Sequence, residues 1–204
     1  MSQKIIDIYD VVLSVAANID YIKKQFVDFE LSNHSLSTRI LIVGHGRSGK
    51  DESALYLGRR LGLRYTGSTS LAVRPLLAHA IYGKNDLLTQ EHCYAHRHED
   101  REYWYEYCNL LRRIDPLMLI KLCLSFSDIL VGTRSFEELN NAVKVQRPTH
   151  ILWLERSVPI DPTLEFRYDD LLQYARMANV IRVDNTGSIE ELYNNLDILF
   201  PIGT

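Results

Sequence analysis

Two periodicities divide the chain. In the first segment, apolar residues fall at Ile5, Ile8, Val12, Val15, Ile19, Ile22, Phe26 and Phe29, in alternating steps of three and four. That heptad stripe predicts one amphipathic helix of roughly 25 residues. Asn33, His34 and Ser35 read as the loop that ends it. An apolar stripe needs a cover: either the segment 1–36 packs on the rest of the chain, or it meets a second copy in a homodimer. From residue 40 onward the pattern changes. Short apolar runs predict strands at 40–44, 63–66, 128–133, 150–155 and 180–183. Between them, helical spacing predicts helices at 50–61, 70–82, 89–113, 116–125, 136–146 and 189–199, with a short one near 168–178. Pro116 suits the first turn of a helix that restarts after Ile114-Asp115. Strand and helix in alternation indicate an α/β fold, here a five-stranded parallel sheet with helices on both faces, in a domain 37–204.

The first strand runs into Gly44-His-Gly-Arg-Ser-Gly-Lys-Asp-Glu52, a glycine-rich turn opening a helix. The spacing Gly44-x4-Gly49-Lys50 is that of a P-loop, in which free backbone N–H groups, a helix N-terminus and a lysine offset phosphate charge. On this reading Gly44, His45, Gly46, Arg47, Ser48, Gly49, Lys50, Asp51 and Glu52 cradle a nucleotide's phosphates. Asp51 stands where a Walker A loop has Ser or Thr. The same glycines fit Gly-x-Gly-x-x-Gly, the dinucleotide fingerprint. That fingerprint calls for an acid roughly 20 residues on, and residues 63–70 contain none. It also leaves Lys50 without a task, so the P-loop is the better fit.

Composition sets bounds. The chain has 204 residues, 46% of them apolar, enough for one core. Its formal charge of −3 gives no sign of bulk binding to a nucleic-acid backbone. Cys93, Cys108 and Cys123 form no paired motif, which fits buried thiols in a reducing compartment. No signal peptide or membrane-length apolar run is evident, so the expectation is a soluble intracellular protein with no membrane partner. His92, Cys93, His96 and His98 lie close together but lack a second ligand cluster, and zinc is disfavoured.

Phosphoryl transfer depends on positioning and charge neutralisation, so arginines from several elements are the next candidates. Arg97 and Arg101, four apart on the predicted helix 89–113, share a face with Trp104. Interleaved Glu99, Asp100, Glu102 and Glu106 equally allow a solvated face of ion pairs. Tyr94, Tyr103, Tyr105 and Tyr107 on that helix read more readily as core than as a base-stacking platform. Arg112 and Arg113 suit a helix C-terminus as ordinary cations. Arg134 stands at a strand's carboxyl edge, where α/β sheets bind ligands. Arg156 precedes a loop, residues 157–162, that can close over a nucleotide.

Gly-x-x-x-x-Gly-Lys-Asp, with Arg47-Ser48 before its last glycine, resembles the loop of phage deoxynucleoside monophosphate kinases. The resemblance continues through Cys93 to Trp104, Asp115-Pro116, Asp128 to Glu138, Ile151 to Arg156 and Val183 to Leu192, and covers about residues 39 to 199. A related set of phage P-loop kinases, similar in these segments, phosphorylates 5-hydroxymethyluracil within DNA. The resemblance implies a P-loop kinase fold, ATP and Mg²⁺, and work in the host cell cytoplasm. It places Lys50 on the transferring phosphate, Asp51 at the metal, Arg134, Arg97 and Arg101 on the acceptor nucleotide, and Arg156 in a lid. Trp104 and Glu137 fall with the acceptor residues. One departure stands out: the strand 128–133 ends Val131-Gly-Thr133, where many relatives carry an acid for the metal. Asp51, or Glu137, would then serve it.

Three functions follow as expectations. The first is transfer of the ATP γ-phosphate to a free deoxynucleoside monophosphate, whose anionic oxygen needs no strong base. The second is phosphorylation of 5-hydroxymethyluracil in DNA, an alcohol that needs a base such as Asp100, Glu137 or Glu155. The third is a non-catalytic nucleotide-binding regulator assembled through the N-terminal helix. Leu154-Glu-Arg-Ser-Val158 also matches a deoxynucleoside-kinase signature, but falls on the fourth strand rather than the third and is taken as chance.

Overall fold

The computed structural model describes residues 38–201, apart from 66, 67, 85 and 98, together with residue 13. Apart from that one residue, the predicted helix over 1–36 lies outside the described residues. The rest is an α/β fold built on β1 (Ile40–Val43), β2 (Ile129–Val131), β3 (His150–Glu155) and β4 (Asn179–Asp184). All neighbours pair in parallel, in the order β2-β1-β3-β4. The helices are α1 (Lys50–Leu61), α2 (Thr69–Tyr82), α3 (Leu87–Ala95), α4 (Arg101–Ile114), α5 (Met118–Phe126), α6 (Phe136–Gln146), α7 (Tyr168–Leu171) and α8 (Ile189–Leu199). A short 3₁₀ turn, Leu172–Tyr174, follows α7, so the helix expected over 168–178 is one turn of each kind.

Each sheet face has its own core, because alternate strand residues point opposite ways. Ile40, Ile42, Leu152, Leu154 and Val183 pack with Ala54 and Leu57 of α1 and Leu192 and Leu196 of α8. Leu41, Val43, Ile151 and Trp153 face the other way, onto α2, α4, α5 and α6 through Leu76, Tyr107, Leu122 and Leu139. All four β1 residues are completely buried, which is why this strand reads as a continuous apolar run.

The sheet has four strands rather than five among the described residues. The segment expected as a second strand lies beside the start of β2, where a further edge strand would pair. The Arg64 N–H does not enter a backbone ladder; it donates to Asp128 Oδ2 at 2.8 Å, while the Asp128 N–H donates to the Arg64 carbonyl at 2.8 Å. The Arg64 guanidinium closes on the same buried carboxylate at 2.8 Å. A side chain thus takes the place of the ladder's next rung.

The single helix expected over 89–113 is two. α3 stops at Ala95 and α4 starts at Arg101, with no glycine or proline at the break. Polar side chains end α3 instead. His96 Nδ1 lies 2.9 Å from the His92 carbonyl, and Arg97 donates to the Tyr94 carbonyl at 2.9 Å. These side chains add second donors to carbonyls that already accept the backbone N–H groups of His96 and Arg97.

Candidate functional site

The loop between β1 and α1 is shaped by close approaches. Gly44 has φ 143°, and a Cβ there would lie 2.8 Å from the Leu154 carbonyl oxygen. Gly49 has φ 88°, and its Cβ would lie 2.4 Å from Asn185 Nδ2. Asn185, buried after β4, donates that Nδ2 to the Ser48 carbonyl at 2.8 Å. The loop is therefore clamped between the ends of β3 and β4. Arg47, at its tip, is exposed and takes a left-handed φ of 62°. Gly49, at the N-cap of α1, supplies no side-chain hydrogen bond to the first N–H groups of the helix. Such a helix start, below a glycine turn, is suited to an anion.

Lys50 bends back over this loop. Its Nζ donates to the carbonyls of Gly44 at 2.9 Å and His45 at 2.5 Å, and lies 3.5 Å from Ser48 Oγ. Burial and then repulsion from Arg134 lower the ammonium to about 8, against the opposing pulls of Asp51 and Asp161. Arg134 leaves the sheet two residues past Gly132 and is held by an ion pair with Asp161 and a hydrogen bond to Thr163 Oγ1 at 2.9 Å. Lys50 opens α1 and Arg134 follows β2; the second cation repels the first, and Asp161 acts on both.

The acids around the cradle are engaged as hydrogen-bond acceptors. Asp51 takes the Tyr65 hydroxyl at 2.6 Å; burial first, and this bond second, push that phenol up. Glu52 accepts from Tyr193 of α8. Glu138 pairs with Arg112 at 2.6 Å and accepts from the Arg134 N–H at 2.8 Å. Glu155 binds the Trp153 indole at 2.8 Å and Arg182 at 3.1 Å. Burial opposes its ionisation, but these donors prevail and keep it below the usual carboxylate range. Asp161 behaves likewise: burial is outweighed by Thr163 and Arg134, which hold its carboxyl well down.

The acceptor candidates are placed less uniformly. Arg97 lies across the Tyr94 ring, its Cζ 4.0 Å from the centroid, and helps end α3. It is not on one continuous helix face with Arg101, since the helix breaks between them; Arg101 is exposed at the start of α4. Trp104 is buried, edge-on to Tyr94, as part of the core. Glu137 is exposed on α6, whereas its neighbour Glu138 turns inward. Arg156 is exposed where β3 ends. The three thiols are pushed up to about 11, 11 and 12 for Cys93, Cys108 and Cys123, chiefly by burial.

Four residues near the cradle or on α2 escaped the sequence reading: Asp161, Glu138, Asn185 and Arg74. Glu138 had a signal, since Ser135-x-x-Glu138 forms a capping box at the start of α6. Asp161 had a weaker one, an Asp-Pro-Thr turn. Arg74, half-buried on α2, has a buried Nε that meets no hydrogen-bond partner among the described residues. So does the buried Thr133 hydroxyl, which lines a cavity of about 10 Å³ with Thr69, Cys123 and Glu138, room for one water and not for a base. Native proteins pair nearly all such groups, and Ser53 Oγ and Gln146 Oε1 share the condition. No group of three or more His, Cys, Asp or Glu among the described residues is arranged to hold a metal ion. No described helix is long and apolar enough to cross a membrane. No protein-family model matches the chain, and no curated protein matches its sequence.

Proposed function

We propose that the protein is an ATP-dependent phosphotransferase of the P-loop kind, moving the γ-phosphate onto a deoxynucleoside monophosphate. The carrying observation is that Lys50 folds back over the glycine loop while Arg134 reaches the same loop through its partner Asp161, which lies against Gly46. In this reading the loop N–H groups and Lys50 hold the phosphate chain of ATP. Arg134 faces the transferring group and the acceptor phosphate, and Arg74, with its unpartnered Nε, is the further candidate for the acceptor phosphate. Asp51, which accepts the Tyr65 hydroxyl, would be the carboxylate to hold a Mg²⁺ brought in with ATP, and the ion would supply further neutralisation of phosphate charge. With its Lys50 carbonyl bonds exchanged for phosphate oxygens, the ammonium no longer needs the loop.

The same geometry favours a phosphate acceptor over an alcohol. An alcohol must lose a proton to a base of raised basicity near the transferring group. Asp161 and Glu155 are held ionised by strong donors, Glu138 and Asp51 already accept hydrogen bonds, and Asp100 and Glu137 are exposed to solvent. A monophosphate oxygen is already anionic and requires only positioning and charge. This favours the free nucleotide over 5-hydroxymethyluracil in DNA.

The test is incubation with γ-labelled ATP and Mg²⁺, with each deoxynucleoside monophosphate and separately with DNA containing 5-hydroxymethyluracil. Label in a nucleoside diphosphate is expected. Label in DNA alone would replace the acceptor assignment, and no label with intact ATP binding would make the protein a regulator.

A further inference from the structure

We infer that the phosphate cradle of this chain is closed by its own carboxylate, Asp161, which must leave before a polyphosphate can enter. This rests on the cradle being a nucleotide site and concerns what occupies it in the absence of nucleotide. Asp161 belongs to the loop between β3 and α7. Its neighbours there are turned outward, Ile160 being 78% exposed, while the Asp161 side chain is only 11% exposed. Its Oδ2 pairs with Arg134 and stands 3.2 Å from where a Cβ on Gly46 would be. Its backbone N–H faces His45 Nδ1 at 3.3 Å. The carboxylate also acts on Lys50, whose ammonium it favours.

A carboxylate set against a glycine turn, a guanidinium and an ammonium has the charge and the surroundings of a bound anion. Thr163 holds it there, donating to Asp161 Oδ1 from its N–H at 3.1 Å and its hydroxyl at 2.6 Å. Arg134 donates to that hydroxyl as well, which joins the three residues in one clasp. A phosphate entering the cradle would meet Asp161 as a like charge competing for the same two cations, and like charges in one such site are strongly disfavoured. The loop is tethered just beyond. The Glu165 N–H bonds the Arg134 carbonyl at 2.9 Å, the Glu165 carboxylate takes the Phe136 N–H at 3.1 Å, and Phe166 is buried. Only the segment 157–163 has to swing. The apparent affinity for a polyphosphate is then lowered by the fraction of molecules whose clasp is open.

The experiment is calorimetric titration of the full chain with ATP, with inorganic tripolyphosphate and with adenosine. It compares wild type, Asp161→Asn and Thr163→Val. Asp161→Asn is expected to tighten ATP and tripolyphosphate by about tenfold, within the usual range of coupling between sites, and to leave adenosine unchanged. Removing a negative charge would favour anions without any displacement, so Thr163→Val is the deciding variant. It keeps every charge, removes the hydroxyl that seats the carboxylate and also accepts from Arg134, and is expected to tighten both anions by about threefold. If Thr163→Val binds them no better than wild type, the clasp is refuted whatever Asp161→Asn does. If Asp161→Asn binds them more weakly, Asp161 is a part of the site and not its plug. If wild type and both variants bind neither ATP nor tripolyphosphate, the nucleotide reading falls and the clasp with it.

Discussion

The glycine-rich cradle and the helical wing of α3 and α4 both supplied candidate residues at regular spacing, and they turn out differently. In the cradle, spacing translates into geometry, because backbone constraints leave little choice. Gly44 and Gly49 have positive φ and sit against Leu154 and Asn185 with no room for a side chain. Lys50 can then only begin the helix that follows. In the wing, Arg97, Arg101 and Trp104 share a face only if the helix is continuous, and it is not. Arg97 is occupied with Tyr94, and Trp104 is buried. Motifs whose residues act through the backbone survive folding; motifs whose residues act through a shared helical face depend on the helix surviving. The cradle also stands against its own stability, since its lysine is desolvated and faces a second cation, while the wing's arginine is satisfied.

That contrast can be broken experimentally. Lys50→Met should have the largest effect, lowering kcat/KM by about 10³-fold, in line with the loss of a principal charge in phosphoryl transfer. Its thermal midpoint should be unchanged or higher, because a buried ammonium is removed. Steady-state kinetics and calorimetry on the same sample check both halves. Asp128→Ala should cost about 2–3 kcal/mol in denaturant titration, since it leaves the Arg64 N–H and guanidinium without their acceptor, while ATP affinity stays within about twofold. A matching loss of affinity would tie this sheet edge to the site. Next, Arg74→Ala should raise the acceptor KM by about tenfold with the ATP KM unchanged, and Arg97→Ala should move it by less than about twofold. The reverse pattern would restore the wing as the acceptor site. The smallest effect is a pH dependence. Free Lys50 titrates at about 8, and a bound phosphate favours its charged form. Binding therefore takes up a proton above that pH, and the Kd for ATP should rise about fivefold from pH 8 to pH 9 while changing little below pH 7. A flat profile would detach Lys50 from the phosphates.

Much of the fold was legible where local signals are strong. Helices 50–61, 136–146 and 189–199 and strand 150–155 fall where periodicity puts them. The last two of those helices start at capping boxes, Ser135 with Glu138 and Ser188 with Glu191. The parallel α/β architecture followed from the alternation of elements. The second strand did not form because Arg64 is bonded to a side chain, Asp128, from more than 60 residues away, and no local pattern distinguishes that from a ladder. The break in the long helix was invisible because histidine and arginine side chains, not glycine or proline, end α3. At the candidate site, the places of Lys50 after β1 and Arg134 after β2 were legible, since each follows a strand. Asp161 and Asn185 were not, because they reach the loop from more than 100 residues away through tertiary contacts alone.

The central claim is that the loop bearing Lys50 binds the phosphates of ATP, and the most direct measurement is the thermal midpoint with and without ATP and Mg²⁺. At a hundredfold excess over Kd, binding stabilises by about 2.7 kcal/mol, which for a chain of this size is a rise of roughly 5–10 °C. Wild type should show that rise and Lys50→Met, equally folded, should show little of it. An equal rise in both proteins, or none in wild type at millimolar ATP, would contradict the claim.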